Sequence, residues 1–178
     1  MRAVLWRSVD GSLERCTLVE TRAGARLAGT VLTGETGAPL ELRYAVDVDS
    51  GWRTRRAEVR ITDGGSLSLE ADGRGHWSID GRRLPELDGC IDVDLEFTPA
   101  TNALPVRRLR LAEGQSADLR AAWVRFPGLS AEPNEQRYQR LEGAGYRYLS
   151  GDFSADLEVA EDGLVIRYGE LWETVAGS

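Results

Sequence analysis

Short stretches of strict apolar–polar alternation, each closed by a turn that carries glycine, recur from one end of this 178-residue chain to the other. Residues 40–48 show the pattern: Leu40, Leu42, Tyr44, Val46 and Val48 stand against Glu41, Arg43, Ala45 and Asp47. A period of two places alternate side chains on opposite faces of a strand, so each stretch predicts a strand with one face for a core. Residues 2–9 and 13–20 flank Asp10-Gly11, a hairpin dipeptide. Segments 26–33, 52–62, 66–71, His76–Asp80 and one opening at Arg82 follow, separated by Gly34-Glu35-Thr36-Gly37, Ser50-Gly51, Asp63-Gly64-Gly65, Asp72-Gly73-Arg74-Gly75 and Asp80-Gly81. The second half continues with 116–126, 134–142, 145–150, 153–159, 164–168 and 171–175. In 116–126, Ala117, Leu119, Ala121 and Ala122 suit a helix, but Trp123, Val124 and Phe126 favour a strand. The 20 glycines also work against helices. These readings predict an all-β chain, an antiparallel meander in one domain spanning 1–178. A meander this long must curl into a barrel, roll or sandwich.

Composition narrows the function classes. Acidic residues outnumber basic ones 29 to 22, a net charge of -7, which argues against a general nucleic-acid binder. Every basic residue is arginine, so no lysine is available as a Schiff-base or general-base group. The N-terminal Met1-Arg2-Ala3-Val4-Leu5-Trp6-Arg7 lacks the long apolar core of a signal peptide, and no apolar run reaches the length of a membrane span. Cys16 and Cys90 stand far apart without metal spacing and are expected as free buried thiols. The expected setting is cytoplasmic.

The stretch Asp88–Leu111 concentrates the residues with chemical interest. Its first half alternates Ile91, Val93, Leu95 and Phe97 with Asp92, Asp94 and Glu96, which reads as a strand with a dry and a wet face. A hairpin of 88–97 with 104–111 would set Asp94 against Arg108 and Asp92 against Arg110, while Val93 met Leu109 and Ile91 met Leu111. Cross-strand ion pairing then accounts for the aspartates. The competing reading uses Asp92 and Asp94 as paired carboxylates of a hydrolase or isomerase acting on a sugar-like substrate, since neighbours two apart on a strand lie about 6.6–6.8 Å from each other. His76 is the single histidine, no G-x-S-x-G elbow and no Walker pattern exist, and Gly73-Arg74-Gly75 reads as a hairpin turn. Neither catalytic residues, nor a metal site, nor a cofactor is expected. Trp6, Trp52, Trp77, Trp123 and Trp172, with Tyr44, Tyr138, Tyr146, Tyr148 and Tyr168, can build a core or line a cavity. Tyr146 and Tyr148 share one strand face. Between the arms of the expected hairpin, Thr98-Pro99-Ala100-Thr101-Asn102-Ala103-Leu104-Pro105 reads as a stiff polar loop.

Gly75-His76-Trp77, Leu84-Pro85-Glu86-Leu87-Asp88-Gly89-Cys90-Ile91-Asp92-Val93-Asp94-Leu95 and Thr98-Pro99-Ala100-Thr101-Asn102-Ala103-Leu104-Pro105-Val106-Arg107-Arg108-Leu109 resemble the bacterial family named "putative glycolipid-binding". Trp6-Arg7, Trp52-Arg53-Thr54-Arg55, Gln136-x-Tyr138-x-Arg140, Asp162-Gly163-Leu164-Val165 and Tyr168-x-x-Leu171-Trp172 extend the resemblance over nearly the whole chain. It implies a single-domain spiral β-roll of about fifteen strands, related in shape to lipoprotein-carrier folds, and it offers no catalytic residues to carry over. The expected function is non-enzymatic binding of a small amphipathic molecule, a glycolipid or lipid, inside the curled sheet. Trp52, Trp77, Asp92, Asp94, Asn102, Arg108 and Tyr138 are the candidate contacts. A structural or interaction module, dimeric through an open sheet edge, is the remaining alternative.

Overall fold

The computed structural model describes residues 1–177, and these form one 15-stranded sheet that coils on itself without closing. The alternating stretches become strands: β1 (Arg2–Ser8), β2 (Leu13–Thr21), β3 (Gly24–Thr33), β4 (Leu40–Asp49), β5 (Thr54–Ile61), β6 (Ser66–Ala71), β7 (Trp77–Ile79) and β8 (Arg82–Arg83). Then come β9 (Asp92–Leu95), β10 (Ser116–Val124), β11 (Ala131–Arg140), β12 (Gly145–Ser150), β13 (Phe153–Val159), β14 (Val165–Tyr168) and β15 (Trp172–Gly177). β1 to β8 form an antiparallel meander running outward in one direction. β10 to β15 form a second, and the two join where β1 pairs with β15. The stretch 116–126 is strand, as Trp123 and Val124 indicated.

Cross-strand pairing explains the register. On the outer face, Arg26 lies opposite Asp47, Asp118 opposite Arg137 and Arg147 opposite Asp156, and each pair is ion-paired. On the inner face, Leu27, Leu42, Val46, Val59 and Leu69 are buried in a common core with Trp6 and Trp77. A slip of one residue would turn both sets inside out. Gly29 has a specific task. A Cβ there would stand 2.5 Å from the ring of Tyr44, its cross-strand neighbour, so only glycine lets that ring lie across β3 toward β2.

The stretch Asp88–Leu111 folds differently from the expected hairpin. Residues 100–102 form a 3-10 turn and Ala103–Leu109 form a helix, α1. β9 pairs not with 104–111 but with β10, and in parallel: Asp92 opposite Ala121, Val93 opposite Ala122, Asp94 opposite Trp123 and Leu95 opposite Val124. Parallel neighbours need a long crossover, which α1 supplies. The sequence accommodates the helix because the Thr98 hydroxyl accepts the Ala100 N–H and Pro105 falls in the first turn of α1, where its missing N–H costs nothing. The sheet is therefore mixed at this one edge, and the expected wet face of β9 is covered by α1 and the turn before it.

This crossover fills much of the coil. Ala100, Ala103 and Leu104 pack into the large core, whereas Val106 joins a smaller cluster of Tyr138, Tyr146, Tyr148, Leu157, Val159 and Val165. The free edge of β9 meets β5, where the Thr54 N–H donates to the Ile91 carbonyl and the Thr54 hydroxyl accepts the Val93 N–H. Cys16 and Cys90 are free and buried. Among the described residues no helix is long and apolar enough to cross a membrane.

Candidate ligand-binding site

β9 carries two aspartates with different fates. Asp92 is buried, and Arg108 from α1 grips it with two bonds, Nε to Oδ1 at 3.0 Å and Nη2 to Oδ2 at 2.6 Å. Burial pushes the Asp92 carboxyl up and the guanidinium draws it back. The expected pairs Asp94–Arg108 and Asp92–Arg110 do not form, because α1 brings its residues to β9 at helical rather than strand spacing. Arg110 instead ends α1 in a left-handed conformation, φ 48°. Among the described residues Asp94 has no arginine partner. It accepts the Gln136 side-chain N–H at 2.6 Å and the Thr101 hydroxyl at 3.3 Å. Desolvation pushes its carboxyl up to about 6, and these two hydrogen bonds only partly offset that rise.

Asp94 lines a cavity of ≈ 340 Å³ at one end of the coil, and Asp92 does not. The two carboxylates thus face different surroundings rather than one cleft. Glu96, the other acid of the cavity wall, is occupied by Arg125 and by the Phe126 N–H. Trp123, Trp172, Tyr148, Tyr168 and Phe153 form the aromatic wall, and Asn102, Asn134 and Ser150 add polar groups. Arg125 stacks on the Trp123 ring at 3.9 Å and steadies it. Tyr168 meets Tyr148 and Phe153 edge to face, and those two rings lie tilted against each other. The Asn134 carbonyl accepts the Ser150 hydroxyl at 2.9 Å, which leaves the Asn134 amino group as a donor.

The candidate contacts separate into three groups. Asp94 and Asn102 come together at the cavity. Tyr138 stands behind them, its hydroxyl donating to Asn102 Oδ1 at 2.7 Å while Asn102 Nδ2 donates to the Pro99 carbonyl. Asp92 and Arg108 tie α1 to β9 outside the cavity wall. Trp52 and Trp77 lie in the large core: Trp77 Nε1 donates to the Cys90 carbonyl at 2.7 Å, and Trp52 sits beneath the Arg107 guanidinium at 4.3 Å. Trp123, Trp172 and Tyr168 stood among the aromatics without being assigned to a cavity, Tyr148 was marked only by sharing a strand face with Tyr146, and Asn134, Ser150 and Phe153 were not marked. No local pattern marks these residues, because strands far apart in the chain bring them together.

Glu14 went unnoticed as well. It is wholly buried, and the hydroxyls of Tyr44 and Thr98 both donate to its Oε1. Burial pushes this carboxyl up to about 8, so it is held mostly protonated at neutral pH. Its parity with Cys16 and Leu18 in β2 was the available signal. Through Thr98, which also lines the cavity, Glu14 anchors the floor of the site to the far meander.

A family model described as "Putative glycolipid-binding" matches residues 3–174. A DUF1089 family protein from Pseudomonas aeruginosa, known from its crystal structure, is similar in fold and sequence. It gives a TM-score of 0.80 and 39% identity, with 94% of each chain covered. No curated protein matches the chain.

Proposed function

The chain belongs to the "putative glycolipid-binding" family, and from that premise we propose that its aromatic-walled cavity binds the sugar head of an amphipathic small molecule. The composition of the cavity carries the reading. Sugar rings offer apolar C–H faces and a rim of hydroxyls, and here indole and phenol faces stand beside the carboxyl groups of Asp94 and Glu96, two amides and the hydroxyls of Thr98 and Ser150. At ≈ 340 Å³ the space lies near the lower end of ligand pockets, about 300–1,000 Å³, which suits a head group rather than a whole lipid. The aliphatic part has somewhere to go. Phe153 and Leu171 are exposed at the cavity wall, and a neighbouring hollow of ≈ 240 Å³ shares Glu96, Leu171 and Trp172 and adds Val9, Val31 and Phe97 beside a polar side with Asp10 and Glu35. Each methylene covered there contributes about 0.8 kcal/mol.

Native mass spectrometry of gently purified protein, with organic extraction of any bound molecule, is the direct test. Octyl glucoside serves as a defined probe, followed by tryptophan fluorescence. Trp172→Ala and Asn134→Ala are each expected to weaken it by about tenfold, a loss of about 1.4 kcal/mol. Trp77→Phe, altered in the core, should leave affinity unchanged. Absence of a co-purified amphiphile together with no response to the glucoside would sink the reading.

A further inference from the structure

A second concavity, of ≈ 360 Å³, lies between the end of α1, the β11–β12 turn and the β13–β14 turn. It shares no lining residue with the aromatic cavity. Three arginines border it. Arg107 is already paired: its Nη atoms donate to both oxygens of Glu20 and to the Asp162 carbonyl. Arg140 lies 4.7 Å over the Tyr146 ring and donates one N–H to the Gly145 carbonyl, with no carboxylate partner among the described residues. Arg110, in its left-handed position after α1, has neither an ion pair nor a side-chain hydrogen bond among the described residues. That contrasts with Arg108, Arg137 and Arg147, each closed by a carboxylate in a two-pronged contact. The nearby acids are Glu20, paired with Arg107, Asp162, paired with Arg2, Glu142 in the β11–β12 turn, Glu161, exposed at the rim, and Glu113, whose Oε1 accepts the Gly143 N–H. Val106, Tyr146 and Val159 supply an apolar floor.

We propose that this concavity is a second binding site, for a small molecule that carries a phosphate monoester. Guanidinium forks match phosphate oxygens two at a time, and Arg110 and Arg140 bring unspent donors to one hollow. Tyr146 holds Arg140 in place before a ligand arrives, which lowers the ordering cost of binding. The floor of Val106, Tyr146 and Val159 covers the apolar part of the ester. The site is independent of the sugar cavity and stands whether or not that cavity binds a glycolipid.

Inorganic phosphate and phenyl phosphate, titrated at low ionic strength by calorimetry and amide NMR, are the probes. Low salt matters because exposed charges are screened over about 10 Å at 0.1 M. Phenyl phosphate is expected to bind more tightly than phosphate and to shift the amides of residues 143–146. The double variant Arg110→Asn, Arg140→Gln should lose at least about tenfold in affinity at an unchanged melting temperature. Asparagine is chosen at 110 because it tolerates φ > 0. Trp172→Ala should bind phenyl phosphate normally, which separates this site from the first. Phosphatidylcholine vesicles with and without phosphatidic acid distinguish the source. Arginine-dependent retention on the acidic vesicles assigns a lipid head group, and retention on neither, with phenyl phosphate still bound, assigns a soluble ester. No binding of either soluble probe, or equal binding by the double variant, overturns the proposal.

Discussion

Single side chains in this protein are governed by what surrounds them after folding, and Glu14 is the sharpest case. An unfolded chain would ionise it near 4.5, whereas burial holds its proton up to about 8. Between those values the unfolded state binds fewer protons than the folded one, so stability must fall as pH rises through that window. At about 1.4 kcal/mol for each tenfold change in protonation, the loss amounts to several kcal/mol. Glu14→Gln keeps an acceptor for Tyr44 and Thr98 but cannot ionise. The variant is expected to match the parent near pH 5 and to exceed it in denaturant midpoint near pH 9, read by urea titration at each pH. Equal midpoints across the range would show that Glu14 ionises as it does in water. Asp94 follows the same sign at a smaller scale, its window ending near 6.

The element that decides the site is the crossover from β9 through α1 to β10. Sequence analysis placed the aspartates in a brace, and a brace exists, but it holds a helix to a strand instead of two strands to each other. Asp92 and Arg108 form it, nearly out of water, with side-chain exposures of 2% and 18%. A buried pair broken on one side leaves an unpaired charge and costs about 3–5 kcal/mol, more than the pair itself contributes over an apolar substitute. Arg108→Met should therefore lower the melting temperature sharply, and Asp92→Leu added to it should recover part of the loss. If the single and double variants melt alike, the pair carries no coupling. On the outer face cross-strand ion pairs of that kind do form, at Arg26–Asp47, Arg137–Asp118 and Arg147–Asp156, because those residues sit on true antiparallel neighbours. Such exposed pairs contribute at most about 1 kcal/mol each.

For the whole molecule, two meanders meet at β1–β15 and are pinned from inside by one short helical crossover. Leu104 enters the large core and Val106 the tyrosine cluster, so α1 joins the two clusters, as β10 does with Ala122 and Val124 in one and Leu119 against the other. Trp6 adds a second tie, its Nε1 donating from β1 to the Val165 carbonyl of β14 at 2.7 Å. Unfolding is expected to be one cooperative transition. Leu104→Ala should lower stability by about 2–5 kcal/mol without splitting it. Two separate melting steps in that variant, seen by tyrosine and tryptophan signals, would mean that the meanders fold independently. The strands, their hairpin turns and the inward residues of β4 and β12 were legible in the sequence, since a period of two bounded by glycine turns admits little else. Residues 103–109 were not. Arg108-Leu109-Arg110-Leu111 alternates like a strand, and only its position inside a coil that needed a parallel crossover made part of it helical. The aromatic cavity was hidden for a related reason. Local pattern fixes which face a side chain takes, but which faces meet at the end of the coil depends on how fifteen strands bend around one helix.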